Sequence, residues 1–331
     1  MKVSLKNLIV PSIPLGVLLV IGFIILWLTA YFGARFETSP VQSPTFANNI
    51  ESFIYPNSFL SNMLSIAFTL LNAFLLGQIN NRFTIIRTRT FLPIFTFMLL
   101  MSSWNETHQA NSSHLVLTII TLSLFYFFSM ARDRNASEQA FVGSFLVSVS
   151  SLFVNPVILL IPICWIGFVI FQSFSLRTFL ASIFGTLAPW ILFISGKYLF
   201  QSGINFHQII NLTPNFEFNI SAFSFPVLIY IASLIIILII SLIGMFSLSN
   251  SDAINTRNKL NFLVLLLLSL LVLSFIFRNQ FALFLPLIAL IFSLIFSHPF
   301  TLKHSNFYGI IFIVFCFVNI AYVVSKYILI K

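Results

Sequence analysis

Few residues in this chain have side chains suited to chemistry, and those that do sit at the ends of apolar runs. Gly33-Ala34-Arg35-Phe36-Glu37 follows the first run. A carboxylate at the mouth of a membrane cavity can accept the proton of an attacking hydroxyl, which makes Glu37 the leading candidate base. Arg35 beside it is a candidate substrate-binding cation, and the competing reading makes both residues interfacial anchors. A second group, Trp104-Asn105-Glu106-Thr107-His108, follows the third run. There Glu106 and His108, two positions apart, offer an acid/base couple beside polar amides, with Trp104 expected at the interface and Asn105 as a binding residue. The competing reading is a solvated loop. The third group is Arg278-Asn279-Gln280 between two apolar runs. A guanidinium there could hold a lipid phosphate through two parallel hydrogen bonds, with Asn279 alongside. A tight helix-helix turn would need polar residues anyway.

The elements that must position these groups follow from composition. Of 331 residues, 59% are hydrophobic and only 7% charged, where a soluble globular domain carries about 25% charged residues. An integral membrane protein is the consequence, with no room for a soluble catalytic domain. The net charge of +9 is expected to mark loop orientation rather than nucleic-acid binding. Cys164 and Cys316 lie inside apolar runs without CxxC or metal spacing, so no disulfide framework and no metal site are expected. No GxGxxG, GxxxxGK[ST], HExxH or GxSxG motif occurs, and no cofactor is expected.

Because only a helix or a closed barrel satisfies its own backbone in hydrocarbon, runs of this length read as helices. They fall near 8–32, 59–77, 91–103, 114–131, 139–154, 156–172, 178–196, 222–246, 260–277, 280–297 and 306–327. The fold expected is all-α, a polytopic transmembrane bundle of about 11 spans (range 9–12), forming one integral membrane domain over residues 1–331. The span at 91–103 is short, and the pair meeting at Asn155-Pro156 could be a hairpin that does not fully cross. With a cytoplasmic N-terminus, Lys2, Lys6, Arg82, Arg87, Arg89, Arg132, Arg134, Arg177, Arg257, Lys259 and Lys303 gather on one side. Arg35, Lys197, Arg278, Lys326 and Lys331 lie on the other. That asymmetry sets the orientation. It places Glu37, Glu51, Glu106 and Glu217 outside, and Asp133, Glu138 and Asp252 in cytoplasmic turns as solvated loop charges. No ionisable residue falls in the middle of a run, and His298, with no partner spacing, has no assigned role.

Residues 132–190 carry a basic turn (Arg132, Arg134), a small-residue span with Gly143 and Ser151, the Asn155-Pro156 break, Pro162, Arg177, Gly185 and Pro189. This order resembles the middle of the polyprenyl-phosphate-sugar-dependent membrane glycosyltransferases of superfamily C. The whole chain also resembles a family of bacterial multi-pass membrane proteins typical of Bacteroidota. The first resemblance implies inverting sugar transfer at the outer face of a bacterial inner membrane. Its base would be an acid in the first outer loop, matched by Glu37, with Glu106 matching a second-loop acid. Its lipid phosphate would be held by Arg278 or Arg35. The expected partners are membrane lipids, a lipid-linked sugar donor and other membrane proteins, and not nucleic acid. A lipid or solute transporter and a non-catalytic subunit of a cell-envelope complex are the alternative readings.

Overall fold

The computed structural model describes residues 13–33, 58–88, 90–200, 225–302 and 306–329. Among them are eleven α-helices and no strand. In chain order they are α1 (Ile13–Gly33), α2 (Ser58–Phe83), α3 (Leu92–Ser103), α4 (Ser112–Ser129), α5 (Ser137–Phe153), α6 (Ile161–Ile170), α7 (Leu176–Phe200), α8 (Phe225–Leu248), α9 (Ile254–Ile276), α10 (Phe281–Leu302) and α11 (Asn306–Leu329). Short 3₁₀ turns at Asn105–Thr107, Asn155–Leu160 and Arg278–Gln280 join neighbours. Seven helices are long and apolar enough to cross a membrane. The molecule is thus the all-α multi-pass bundle its composition predicts.

The breaks have local causes. Pro93 near the start of α3 and Pro156 and Pro162 around the α5–α6 junction sit where a helix begins, positions at which the missing N–H costs nothing. At only 12 residues, α3 is roughly 18 Å long and falls short of a hydrocarbon core of about 30 Å. Its outer end therefore continues into a folded polar turn, residues 104–111, before α4 begins.

Two features organise the bundle. First, α10 is its axis: 83% of its apolar window is buried, against 17% for α7 and 28% each for α8 and α11. It packs against α3, α4, α8, α9 and α11, so the outer helices face lipid with side chains such as Leu192, Ile243 and Phe317. Second, α5 packs tightly between α4 and α7 through small residues. Ala140, Gly143, Ser144, Val147, Ser148 and Ser151 form its buried face. A Cβ at Gly185 of α7 would come within 2.4 Å of the Phe141 carbonyl oxygen, so only glycine permits this approach. In membranes such close contact takes over the part that water-driven burial plays elsewhere.

The described helix connections fall alternately at the two ends of the bundle. One end carries the α2–α3, α4–α5, α6–α7 and α8–α9 connections with Arg82, Arg87, Arg132, Arg134, Arg177 and Arg257. The α4–α5 and α6–α7 connections meet there, the Arg132 N–H donating to the Phe171 carbonyl at 2.9 Å and the Ser175 hydroxyl to the Arg134 carbonyl at 3.2 Å. We call this the basic end, the one expected from its charge to face the cytoplasm, and the opposite one the outer end. The opposite end gathers residues 104–111, the α9–α10 turn and the outer termini of α8 and α11.

Candidate functional site

The polar turn after α3 is the centre of the outer end. Trp104 is buried rather than belted at the surface. Its ring meets Tyr230 of α8 at 5.5 Å, Tyr322 of α11 at 5.9 Å and Phe281 of α10 at 6.0 Å. Tyr230 and Tyr322 stack face to face at 3.9 Å. The Tyr230 hydroxyl donates to Asn319 Oδ1 at 2.7 Å, and the Ser103 hydroxyl donates to the same oxygen at 2.9 Å. This aromatic and amide cluster ties α3, α8, α10 and α11 together beneath the turn.

Within the turn the expected acid/base pair points two ways. Glu106 is exposed, near enough to Tyr322 for its charge to act on that hydroxyl. His108 is 1% exposed, with Nε2 at 3.1 Å from the Ser102 carbonyl oxygen and its ring 4.2 Å from that of Trp27 in α1. Asn105 is half-buried. The turn itself is knitted by Thr107, whose hydroxyl donates to the Trp104 carbonyl at 2.6 Å. It is fastened to α2 by the Ala110 N–H, which donates to Ser61 Oγ at 3.0 Å.

A second histidine, unremarked in the sequence, anchors the turn from below. His114 is fully buried, with Nε2 at 3.0 Å from Ser65 Oγ and 3.1 Å from the Thr107 carbonyl, and Nδ1 at 3.1 Å from Asn111 Oδ1. The Ser65 hydroxyl also donates to the Thr107 carbonyl at 2.6 Å. With serine and histidine both at zero exposure, this set resembles a nucleophilic triad in spacing but holds no room for a substrate, so it orders the turn.

Arg278 and Asn279 occupy the α9–α10 turn, three and two residues before Phe281, and the Asn279 side chain lies outside the described set. The structure therefore brings Trp104 and the Arg278 turn together through Phe281. Arg35 and Glu37 lie outside the described residues. Running from this point into the membrane is an apolar groove of about 140 Å³ between α3, α8, α9 and α10, lined among others by Leu100, Trp104, Leu234, Leu267, Phe281 and Ile288. Ile235 on its rim is 48% exposed, so the groove opens sideways toward lipid.

The chain belongs to the DUF6427 family, a family of unknown function whose model matches residues 47–330. No curated protein and no solved structure matches it. The span matched by the DUF6427 model contains Trp104, Glu106, His108 and Arg278 and begins after Arg35 and Glu37.

The basic end corrects two expectations. Asp252 is not a solvated loop charge, because its side chain is fully buried, with Oδ1 2.6 Å from an Arg87 guanidinium nitrogen and Oδ2 3.2 Å from His298 Nε2. His298, set aside for want of partner spacing, is equally buried, and Lys259 is 5% exposed with its ammonium donating to the Phe83 carbonyl at 3.2 Å. The apolar runs 260–277 and 280–297 understate their helices: α9 starts at Ile254 and α10 ends at Leu302, which carries Lys259 and His298 inside the bundle. The signal in the sequence was only that each polar residue abuts an apolar run, which does not tell a helix end from a loop. Among the described residues no group of three His, Cys, Asp or Glu side chains could hold a metal ion.

Proposed function

We propose that this membrane protein binds a long-chain lipid phosphate at its outer end and transfers a sugar from it. The observation that carries the reading is the laterally open apolar groove lined by Trp104 and Phe281, residues that directly adjoin the turns carrying Glu106 and Arg278. Lipid tails are as apolar as leucine, so such a groove supplies fit rather than driving force. Discrimination must then come from the headgroup. Arg278 is suited to a phosphate, because its planar fork meets two oxygens at once. A carboxylate, Glu106 or Glu37, accepts the proton of an acceptor hydroxyl as that oxygen bonds to the anomeric carbon. The sugar-to-phosphate C–O bond breaks, and the departing phosphate keeps the electron pair beside Arg278. The resemblance of residues 132–190 to polyprenyl-phosphate-sugar-dependent glycosyltransferases points the same way, and the reaction so proposed takes place at the outer face of a bacterial inner membrane.

The test is sugar transfer from polyprenyl-phosphate mannose in proteoliposomes, with wild type beside Glu37→Gln, Glu106→Gln and Arg278→Ala. Losing the base should lower transfer by roughly 100-fold or more. Transfer unchanged in all three variants, or absent from wild type across polyprenyl-linked sugars, contradicts the proposal. One observation favours transport as a second reading: the His298–Asp252 pair buried in the bundle, a class of residue that marks ion and proton paths. Proton-driven flux in liposomes, lost in Asp252→Asn, would move the assignment there.

A further inference from the structure

Three segments far apart in sequence converge at the basic end on one carboxylate. Arg87 comes from the α2–α3 connection, Asp252 from the α8–α9 turn and His298 from the last third of α10. Arg87 also donates to the Ser251 carbonyl. Its side chain is 42% exposed, whereas those of Asp252 and His298 are fully buried. The α2–α3 connection is thus a strap laid across the bundle and fastened by a charge. Its first residue, Thr84, has φ of 48°, a left-handed backbone that a β-branched side chain adopts only under strain. The Thr256 hydroxyl holds it by donating to the Thr84 carbonyl at 3.3 Å, and Lys259 holds the preceding carbonyl of Phe83. The strap is therefore anchored in the core at Ile85 and Ile86, with the Ile86 N–H donating to Asn80 Oδ1 at 2.9 Å, while its exposed tip around Arg87 is fastened by polar contacts.

One buried carboxylate needs one counter-charge, and two candidates touch it. With His298 neutral, Arg87 is, among the described residues, the only cation paired with Asp252, and releasing it would leave a buried charge unpaired. With His298 protonated, Asp252 has a partner inside the bundle, near the C-terminal end of α10 where the helix dipole favours positive charge. Arg87, half in solvent and now repelled by the imidazolium, can leave. We propose that His298, Asp252 and Arg87 form a proton-operated latch in which a proton on His298 frees Arg87 and loosens the tip of the α2–α3 strap at Arg87 and Thr88, with Ile85 and Ile86 staying in the core. Imidazole is the side chain suited to this, since it is neutral without the proton and cationic with it.

The charged groups that act on His298 are Asp252 and Arg87. Of the packed elements, α3 carries no ionisable residue, and α8 carries only Tyr230 at the opposite end. α4 carries His114 at that opposite end and an exposed Tyr126. α2 contributes an exposed Arg82, α9 a half-buried Arg257 and the engaged Lys259, and α11 Tyr308. None of these offers Asp252 a rival proton donor of histidine's kind. The latch stands or falls independently of the sugar-transfer reading.

The experiment is spin-label mobility at Thr88→Cys in a Cys164→Ala, Cys316→Ala background, in nanodiscs between pH 8 and pH 5. The expected result is an immobile label at pH 8 and a several-fold larger mobile fraction at pH 5. His298→Gln should hold the label immobile at both, and Arg87→Gln, which removes the fastening charge at a half-exposed site, should leave it mobile at both. A label indifferent to pH in wild type overturns the latch. So does an Arg87→Gln label that stays immobile, or a pH response preserved in His298→Gln.

Discussion

Replacing Arg278 is the sharpest way to separate headgroup recognition from mere residence in lipid. The groove below it is lined by side chains no more apolar than the tails it would receive, so tail burial contributes little selectivity. Nearly all discrimination between a lipid phosphate and the matching neutral alcohol should come from the charged hydrogen bonds at the mouth. Such bonds contribute about 1.5–3 kcal/mol net, and at about 1.4 kcal/mol per factor of ten Arg278→Ala should weaken lipid-phosphate binding by roughly 10- to 150-fold. Arg278→Lys keeps the charge but loses the fork and should fall between, while binding of the alcohol should be the same in all three proteins. Native mass spectrometry of detergent-solubilised protein, titrated with each lipid, reads these ratios directly. Equal phosphate affinity in wild type and Arg278→Ala would refute the assignment of Arg278, and so would a wild type that does not distinguish phosphate from alcohol.

Other perturbations test the scaffold. Gly185→Val should lower thermal stability by at least about 1–3 kcal/mol, since its Cβ would lie 2.4 Å from backbone at Phe141; an unchanged melting temperature would mean α5 and α7 are not so close. Asn319→Leu removes the acceptor shared by Tyr230 and Ser103 and should cost about 1–3 kcal/mol, read by denaturant titration, with the aromatic cluster around Trp104 loosened. Leu267→Trp should fill the groove and reduce lipid binding without altering any polar group at the mouth, and normal lipid binding in that variant would exclude the groove as the tail site.

Much of the architecture was legible because bilayer physics allows so few choices. The apolar runs at 139–154 and 156–172 became α5 and the 155–170 segment, divided at Asn155-Pro156 as the proline requires. The run at 306–327 became α11. What could not be read was which helix lies at the centre. In water an apolar face marks the core, but in lipid both faces are apolar, so α10 with 83% of its window buried looks in sequence like α8 with 28%. The candidate site was half legible for the same reason. Glu106 and Arg278 stand out as polar residues between runs, whereas the partners that matter come from afar: Tyr230, Asn319 and Tyr322 beneath Trp104, and Arg87 and His298 around Asp252. Sequence spacing within one helix says nothing about them.

The central claim is that a lipid phosphate rests at the outer end with its tail between α3, α8, α9 and α10. A polyprenyl phosphate carrying a diazirine in its tail, photolysed with the protein in nanodiscs and mapped by peptide mass spectrometry, tests it most directly. Adducts concentrated on Leu234, Leu267, Leu271 and Ile288, and depleted by excess unlabelled polyprenyl phosphate but not by the alcohol, are the predicted result. Adducts spread evenly over lipid-facing residues such as Leu192 and Phe317, with no depletion by competitor, would contradict it.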